Sequence, residues 1–338
     1  MANKAPASAQ STPGNSNGAG GRRTTPTSPW RARKKAPDGA VVASLNGRWG
    51  YLFTSPFVIM FLIFGLAPVL FSTWIAFMDY PDPLDPVQTF VGFDNFTKLL
   101  SDGQFWTATG NTFSIWAFST FPQMILAIGL ATILRNPNLK FATFWRTILL
   151  LPNITSVLAI AIVFGQLFGR DFGLINVARE WLGMPDHINW ISDTIPSHIA
   201  IATMITWRWV GYNSLIFLAA MVAIPNDLYE SATLDGANKW QTFRYVTLPQ
   251  LKNTITFVLI VGTIGGLQVF AEPLTLGGYS GGDSRQFSTL TLFLYEQAFQ
   301  NGRWGYAAAV GIMITLIVLV ISGINFLITR RISSEENK

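Results

Sequence analysis

The sequence contains no cysteine and very little charge. Without cysteine, the chain forms no disulfide, no thiolate metal site and no cysteine nucleophile. Only 12% of its 338 residues are Asp, Glu, Lys or Arg, whereas soluble domains carry about 25%. Half of the residues are apolar. This composition argues against a soluble globular protein and indicates an all-α integral membrane protein.

The small net positive charge belongs to one end of the chain. Residues 1–50 hold eight Lys and Arg residues against Asp38 as the single acid, and they are rich in Ala, Ser, Thr, Pro and Gly. We therefore predict a disordered basic tail. A nucleic-acid-binding arm is one interpretation of such a tail. We favour a topological role without nucleic acid, because cations just before a first membrane span hold that end in the cytoplasm.

Long apolar runs predict six transmembrane helices within a domain at residues 51–329. The predicted spans are residues 52–77, 108–134, 147–169, 198–222, 253–272 and 305–329. With both termini in the cytoplasm, 17 of the 23 Lys and Arg residues lie in the tail, in residues 135–146 and 223–252, and in a short C-terminal tail at 330–338. This positive-inside bias predicts a multi-pass membrane protein with cytoplasmic ends.

The cytoplasmic segment at residues 223–252, called the coupling loop below, has internal order. Asp227 and Glu230 have the spacing of a capping box and predict a short helix over 228–234. Gly236 is placed to end that helix in a left-handed conformation.

The second half of the coupling loop has a weaker pattern. A second helical piece is expected at 239–245, followed by a break at Leu248-Pro249 before the fifth span. From the pattern alone, the loop could also be an amphipathic linker lying on the membrane.

The run from Leu228 to Ala237, followed by Leu248-Pro249, resembles the EAA loop of ABC importer permeases. That motif places Gly four residues after the second Ala of Glu-Ala-Ala. Here the triplet is Glu230-Ser231-Ala232 and the glycine is Gly236, so one small residue replaces another. Further segments are similar to the sugar-permease branch of this family. They are Tyr51-Leu52-Phe53 with Pro56 and Pro68, Ile224-Pro225, and Gln268-Val269-Phe270 with Gly277-Gly278.

The resemblance implies a type I ABC importer permease fold in the bacterial inner membrane and a coupling helix that docks on a cytoplasmic ATPase. The residues implied in coupling are Glu230, Ser231, Ala232, Asp235, Gly236 and Pro249. It also implies a second permease subunit, two ATPase subunits and an extracytoplasmic sugar-binding protein, around a path for a di- or oligosaccharide. The chain is then no enzyme and binds no cofactor itself: it has no G-x-x-x-x-G-K-[ST] run, so ATP and Mg²⁺ belong to the partner ATPase.

Polar residues at membrane depth nominate a substrate path. Arg208 lies within the fourth span, and Trp and Tyr rings with planar amides are typical of sugar sites. The candidates are Trp207, Arg208, Trp209, Gly211, Tyr212 and Asn213, and by family resemblance Gln268 and Glu272. Whether Arg208 is a ligand or a structural partner of Glu272 stays open at this stage.

Other polar and small residues favour structural roles. Gln123, Asn153 and Gln166 are expected to satisfy neighbouring helices. Gly262 and Gly266 have the spacing of a helix-packing face. His198 is expected at the membrane interface, and neither histidine has metal-spaced companions, so no metal site is predicted.

Two rival functions come from other classes. Gly278-Tyr279-Ser280-Gly281-Gly282 matches G-x-S-x-G and suggests a rhomboid-like intramembrane serine protease, although Ser280 has no histidine on the last span to act as its base. An ion-coupled secondary transporter would need an internal repeat and paired carboxylates, and the sequence offers Glu272 alone near a span.

Overall fold

The computed structural model describes residues 47–80, 88–184 and 186–335. The predicted basic tail therefore lies outside the described residues up to position 46, and a helix begins at Gly47. The chain divides into two compact units, one ending at Phe61 and the other beginning at Leu62.

In the first unit, helix α1 spans Gly47–Met60 and contains Pro56. Its side chains at Tyr51, Phe53 and Phe57 are exposed, as expected of apolar groups that face hydrocarbon. A π-helical turn, Phe61–Leu66, follows α1.

Among the residues of the second unit that the structure describes, the regular elements are helices and one short β-ribbon. Strands β1 (Met78–Asp79) and β2 (Thr89–Phe90) pair antiparallel, with Met78 opposite Phe90. The helices before the coupling loop are α2 (Ala67–Ile75), α3 (Asp94–Ser101), α4 (Gly103–Leu134), α5 (Ala142–Ile154), α6 (Val157–Leu167), α7 (Leu174–Trp181) and α8 (Thr194–Val222). Those from the loop onward are α9 (Asn226–Leu234), α10 (Lys239–Thr242), α11 (Leu248–Gln250), α12 (Lys252–Gly266), α13 (Ala271–Gly277), α14 (Leu290–Tyr295) and α15 (Trp304–Glu335).

Helices α4 and α8 pack along each other at the centre of this unit. Ala127 and Ala131 of α4 are fully buried in one cluster with Phe217 and Met221 of α8. Small residues of this kind let two membrane helices approach closely. A second cluster, which includes Phe105, joins α4 to α14 and α15.

By length and composition, four segments are able to cross a membrane: residues 50–75, 103–134, 252–277 and 304–327. Two bent helix pairs, α5 with α6 and α8 with α9, raise the number to six if each pair counts as one span. The predicted multi-pass all-α architecture is confirmed within the described part of the chain.

The third predicted span, residues 147–169, is a bent pair of helices in the structure. Helices α5 and α6 meet at an angle of 94°. Pro152 lies in the last turn of α5, and Thr155 and Ser156 then adopt extended backbone angles with ψ of 144° and 131°. Two consecutive non-helical residues redirect the chain.

The segment between α13 and α14, residues 278–289, is fastened by side chains of the long helices. Asn111 of α4 donates to the carbonyls of Arg285 and Ser288, each at 3.1 Å. His198 of α8 bonds Ser114 through Nδ1 and the Gln286 carbonyl through Nε2, both at 2.8 Å. His198 is therefore a buried connector near the start of α8.

Arg285 adds an ion pair to this fastening. Its guanidinium donates to both carboxylate oxygens of Glu296, at 2.6 and 2.7 Å. Hydrogen bonding to this carboxylate raises the pKa of Arg285. The bidentate pair links the segment to the π-helical turn Glu296–Gln300.

Gly211 offers a test of the packing between α5 and α8. A methyl group at this position would overlap the Leu149 carbonyl oxygen. Gly211→Ala should therefore destabilise the protein by roughly 1–3 kcal/mol, although alanine is the better helix former. The thermal unfolding midpoint in detergent measures the effect.

Gly129→Ala is the matched control, because nothing lies within 4 Å of the position a β-carbon would take there. Equal midpoints for the two variants would contradict the packing role of Gly211.

Candidate functional site

The first helix of the coupling loop, α9, begins at Asn226, two residues earlier than predicted. The N-cap residue is Pro225, and no side chain caps the helix. The predicted capping box of Asp227 and Glu230 is therefore wrong, because both residues already lie inside the helix. A capping box does occur one helix later, where Asn238 and Gln241 bond each other's backbone N–H at 3.0 and 2.8 Å.

The predicted end of α9 is confirmed. Gly236 has φ of +76°, the left-handed conformation that glycine adopts without strain. The Ala237 N–H then donates back to the Ala232 carbonyl at 2.9 Å. Gly236 thus turns the chain sharply at the end of the short helix.

The break predicted at Leu248-Pro249, before the fifth span, lies two residues later in the chain. Helical backbone continues from α10 through a π-helical turn, Phe243–Thr247, into α11, and Pro249 lies in the first turn of α11. At such a position the missing N–H of proline costs no hydrogen bond. The chain turns instead at Leu251, which is fully buried.

The predicted coupling residues lie on an accessible surface. Glu230, Ser231, Asp235, Gly236 and Pro249 are exposed, and Ala232 is half-buried. The Ser231 hydroxyl donates to the Asp227 carbonyl at 2.8 Å, which leaves a small outer surface. Leu234 is 89% exposed beside them. An exposed leucine next to a fixed negative charge suits contact with another protein.

Tyr229 holds α9 against the rest of the protein. The guanidinium carbon of Arg135, at the end of α4, lies 3.9 Å from the centre of its ring. The Tyr229 hydroxyl bonds the Thr247 hydroxyl at 3.1 Å. A cation–π contact and a hydrogen bond therefore set the position of the coupling helix.

A cavity of about 450 Å³ lies between α4, α8, α12 and α13. Its volume falls within the usual range of small-molecule sites. Six of the predicted path residues line it: Arg208, Trp209, Tyr212, Asn213, Gln268 and Glu272.

Arg208 and Glu272 form an ion pair across the cavity lining. Nη1 of Arg208 lies 3.0 Å from Oε1 of Glu272, and the side chains are 22% and 7% exposed, respectively. Arg208 thus has a structural partner and also faces the cavity. Its Nε is buried without a hydrogen-bond partner, so Glu272 does not saturate the guanidinium.

Two predicted path residues lie elsewhere. Trp207 packs on Phe164 of α6, with ring centroids 5.7 Å apart. Gly211 lies against Leu149 of α5. Helical geometry explains this placement, because neighbouring positions on a helix point to different faces.

Sequence reasoning missed part of the lining. Gln123 was assigned to helix packing, yet it borders the cavity, as do Phe257 and Phe270. Gly262 and Gly266 both border the cavity. Gly266 also supports the packing prediction, since a β-carbon there would lie 2.6 Å from Trp116. The clustering of Gly262, Gly265 and Gly266 before a helix break was the available signal.

The geometry gives the protease interpretation no support. The Ser280 hydroxyl donates to the Gly282 carbonyl at 3.2 Å, and both ring nitrogens of His198 are engaged by Ser114 and Gln286. His187 lies 4.0 Å from Glu180. Neither histidine is therefore placed as a base for Ser280.

Candidate membrane spans, an exposed loop between two of the helices and a cavity lined by polar and aromatic side chains are typical of a membrane transport subunit. The chain belongs to the binding-protein-dependent transport system inner membrane component family, whose model matches residues 37–334. It is similar to the lactose transport system permease protein LacF of Rhizobium radiobacter, with 33% identity over 283 residues, 83% of this chain and 94% of that protein.

Solved structures agree with this membership. The fold is similar to a bacterial ABC transporter involved in the import of the acidic polysaccharide alginate, with a TM-score of 0.72 and 27% identity over 84% of this chain and 96% of that chain. A bacterial alginate ABC transporter in complex with alginate pentasaccharide-bound periplasmic protein gives 0.73 and 26%, covering 84% and 95%. The predicted type I ABC importer permease fold is confirmed.

Tyr229 provides a test of how the coupling helix is held. Tyr229→Ala removes both contacts and should speed hydrogen exchange of residues 226–250 by about tenfold, whereas Tyr229→Phe keeps the ring and should have a smaller effect. Mass spectrometry of the detergent-solubilised protein measures the exchange. Tyr245→Ala, at a 75% exposed position in the same loop, is the control, and equal exchange in Tyr229→Ala and Tyr245→Ala would refute the role.

Proposed function

We propose that this chain is one permease subunit of an ATP-driven importer and forms the path for an uncleaved di- or oligosaccharide. The observation that carries the proposal is the order of elements along the chain. The coupling loop is inserted directly between α8 and α12, and both helices line the cavity. A partner that moves the loop therefore pulls on two helices of the cavity at once.

The chemistry of the lining favours a sugar. Trp209, Phe257 and Phe270 offer ring surfaces for the apolar faces of pyranoses, and Gln123 and Gln268 are among the groups that offer donors and acceptors to hydroxyls. The similar LacF protein is named for lactose transport.

The proposed assembly contains four kinds of component: two different permeases, of which this chain is one, a pair of ATPase subunits, an extracytoplasmic sugar-binding protein and the lipid bilayer. ATP and Mg²⁺ bind to the ATPases, since this sequence has no phosphate-binding loop of its own. The proposed orientation places both termini in the bacterial cytoplasm, as the positive-inside bias favours.

An ion-coupled secondary transporter fits less well. Ion coupling needs a carboxylate that is free to bind and release an ion. Glu272, the acid that lines the cavity, is engaged by Arg208 at 3.0 Å. The exposed coupling loop would also have no task in such a protein.

The direct test is purification of the intact complex followed by ATPase measurement with its binding protein. Lactose, maltose, trehalose, cellobiose and glycerol phosphate form the panel. We expect at least one of the sugars to stimulate hydrolysis and ATP-dependent uptake in proteoliposomes. Uptake that persists without ATP and collapses with the ion gradient would contradict the proposal.

Glu230→Lys tests the coupling loop separately. Reversal of an exposed charge at the proposed ATPase contact should leave the protein in the membrane but reduce uptake at least about tenfold, because a like-charge contact costs several kcal/mol. Uptake and ATPase activity are measured side by side. Glu180→Lys, an exposed acid on α7, is the control, and wild-type uptake by Glu230→Lys would refute the assignment.

A further inference from the structure

In the described part of the chain, the one positive and the one negative side chain that line the cavity together give it no net charge. Among the described residues that line it, Arg208 and Glu272 are the ionised side chains, and they contact each other at 3.0 Å. The remaining polar lining is neutral and consists of Ser119, Thr120, Gln123, Tyr212, Asn213 and Gln268. The cavity therefore presents many hydrogen-bonding groups without a net charge.

Separation of the ion pair between Arg208 and Glu272 is unfavourable. Glu272 is 7% exposed, so its charge has little access to solvent and depends on Arg208 for compensation. Arg208 makes a single contact through Nη1 and lies 5.7 Å from the Trp209 ring centre. Guanidinium donors beyond that contact stay available to a ligand while the pair is intact.

We propose that Glu272 makes the cavity selective for uncharged saccharides, an inference that rests on the proposed sugar-import function. Hydroxyl groups of a neutral sugar bind the free guanidinium donors and the amides without displacing Glu272. A uronate or sugar phosphate must either displace the carboxylate, leaving it buried and unpaired, or lie beside it as a like charge. A cationic amino sugar meets the same conflict with Arg208.

The selectivity also distinguishes this chain from a structural relative. The alginate transporter with the similar fold imports an acidic polysaccharide. Charge preference is thus a property that this fold does not decide by itself. The lining residues of each protein set its charge preference. In this chain Glu272 compensates the charge of Arg208, so an anionic sugar finds no unpaired cation in the cavity.

The test uses the complete transporter, both permeases and the ATPases, in lipid nanodiscs without the binding protein. Binding of lactose, maltose, trehalose and cellobiose is measured by equilibrium dialysis, each beside its 6-carboxylate analogue, in the state held by a non-hydrolysable ATP analogue. The wild type should favour the neutral member of a pair at least about tenfold, the ratio that corresponds to about 1.4 kcal/mol.

Single charge removals should shift the preference in opposite directions. Glu272→Gln leaves Arg208 unpaired, so the ratio of carboxylate to neutral sugar should rise at least about tenfold. Arg208→Gln leaves Glu272 unpaired and should instead favour 6-amino analogues of the same sugars. The double variant should return to a preference for neutral sugars, which a merely structural role of the pair would not produce.

Glu296→Gln is the matched control, because it breaks the other Arg–Glu pair, between Arg285 and Glu296, away from the cavity. It should leave the neutral-to-carboxylate ratio unchanged. Equal wild-type binding of neutral and carboxylate members, or an unchanged ratio in Glu272→Gln, would overturn the inference and leave the import function standing. Binding of none of the eight probes would count against the import function itself.

Discussion

The ion pair between Arg208 and Glu272 is the contact on which the candidate site depends. Arg208 lies in the middle of α8, where an unpaired charge at membrane depth is expensive. Glu272 lies in the first turn of α13, just after the chain breaks at the end of α12. Since each charge is tolerable only beside the other, the pair holds α13 against α8, and the shape of the cavity between them follows.

Helices α8 and α12, which line the cavity, are held by different contacts near the segment at 278–289 and near the coupling loop. Toward α14, the segment at 278–289 is bonded to α4 and α8 through buried groups such as Asn111 and His198. At the other end, the coupling loop has an exposed surface and is held by the contact of Tyr229 with Arg135 and by the buried side chain of Leu251. Helices are stiff, so a displacement of the loop is transmitted along α8 and α12 toward the fastened end. Because the segment at 278–289 is held more firmly than the coupling loop, we expect the cavity between them to change shape when the loop moves.

The sequence predicted the features that depend on a single local residue or on a residue type that is rare in membrane spans. Gly236 ends α9 because glycine alone adopts φ of +76° without strain, and Arg208 was conspicuous because membrane spans carry so few charges. Pro152 marked an interruption of the third span, but the direction and size of the bend at Thr155 and Ser156 were not predictable, since composition carries no direction. The contact of Gly211 with Leu149 depends on how two helices pack, which no local pattern encodes.

The position of the cavity follows from the break between α12 and α13. Residues 267–270 leave the helix, and hydrocarbon cannot satisfy the backbone groups that such a break frees. One of them, the Val269 carbonyl, accepts the Thr289 hydroxyl at 2.8 Å. The N–H groups of Leu267 and Gln268 donate to the carbonyls of Thr263 and Gly265, at 3.0 and 3.2 Å. Gln268 and Phe270 of the break border the cavity. A broken membrane helix and a polar cavity therefore stabilise each other. The cavity gives water or a ligand access to the backbone groups at the break. The break in turn exposes polar backbone groups to the cavity that a continuous helix would hide.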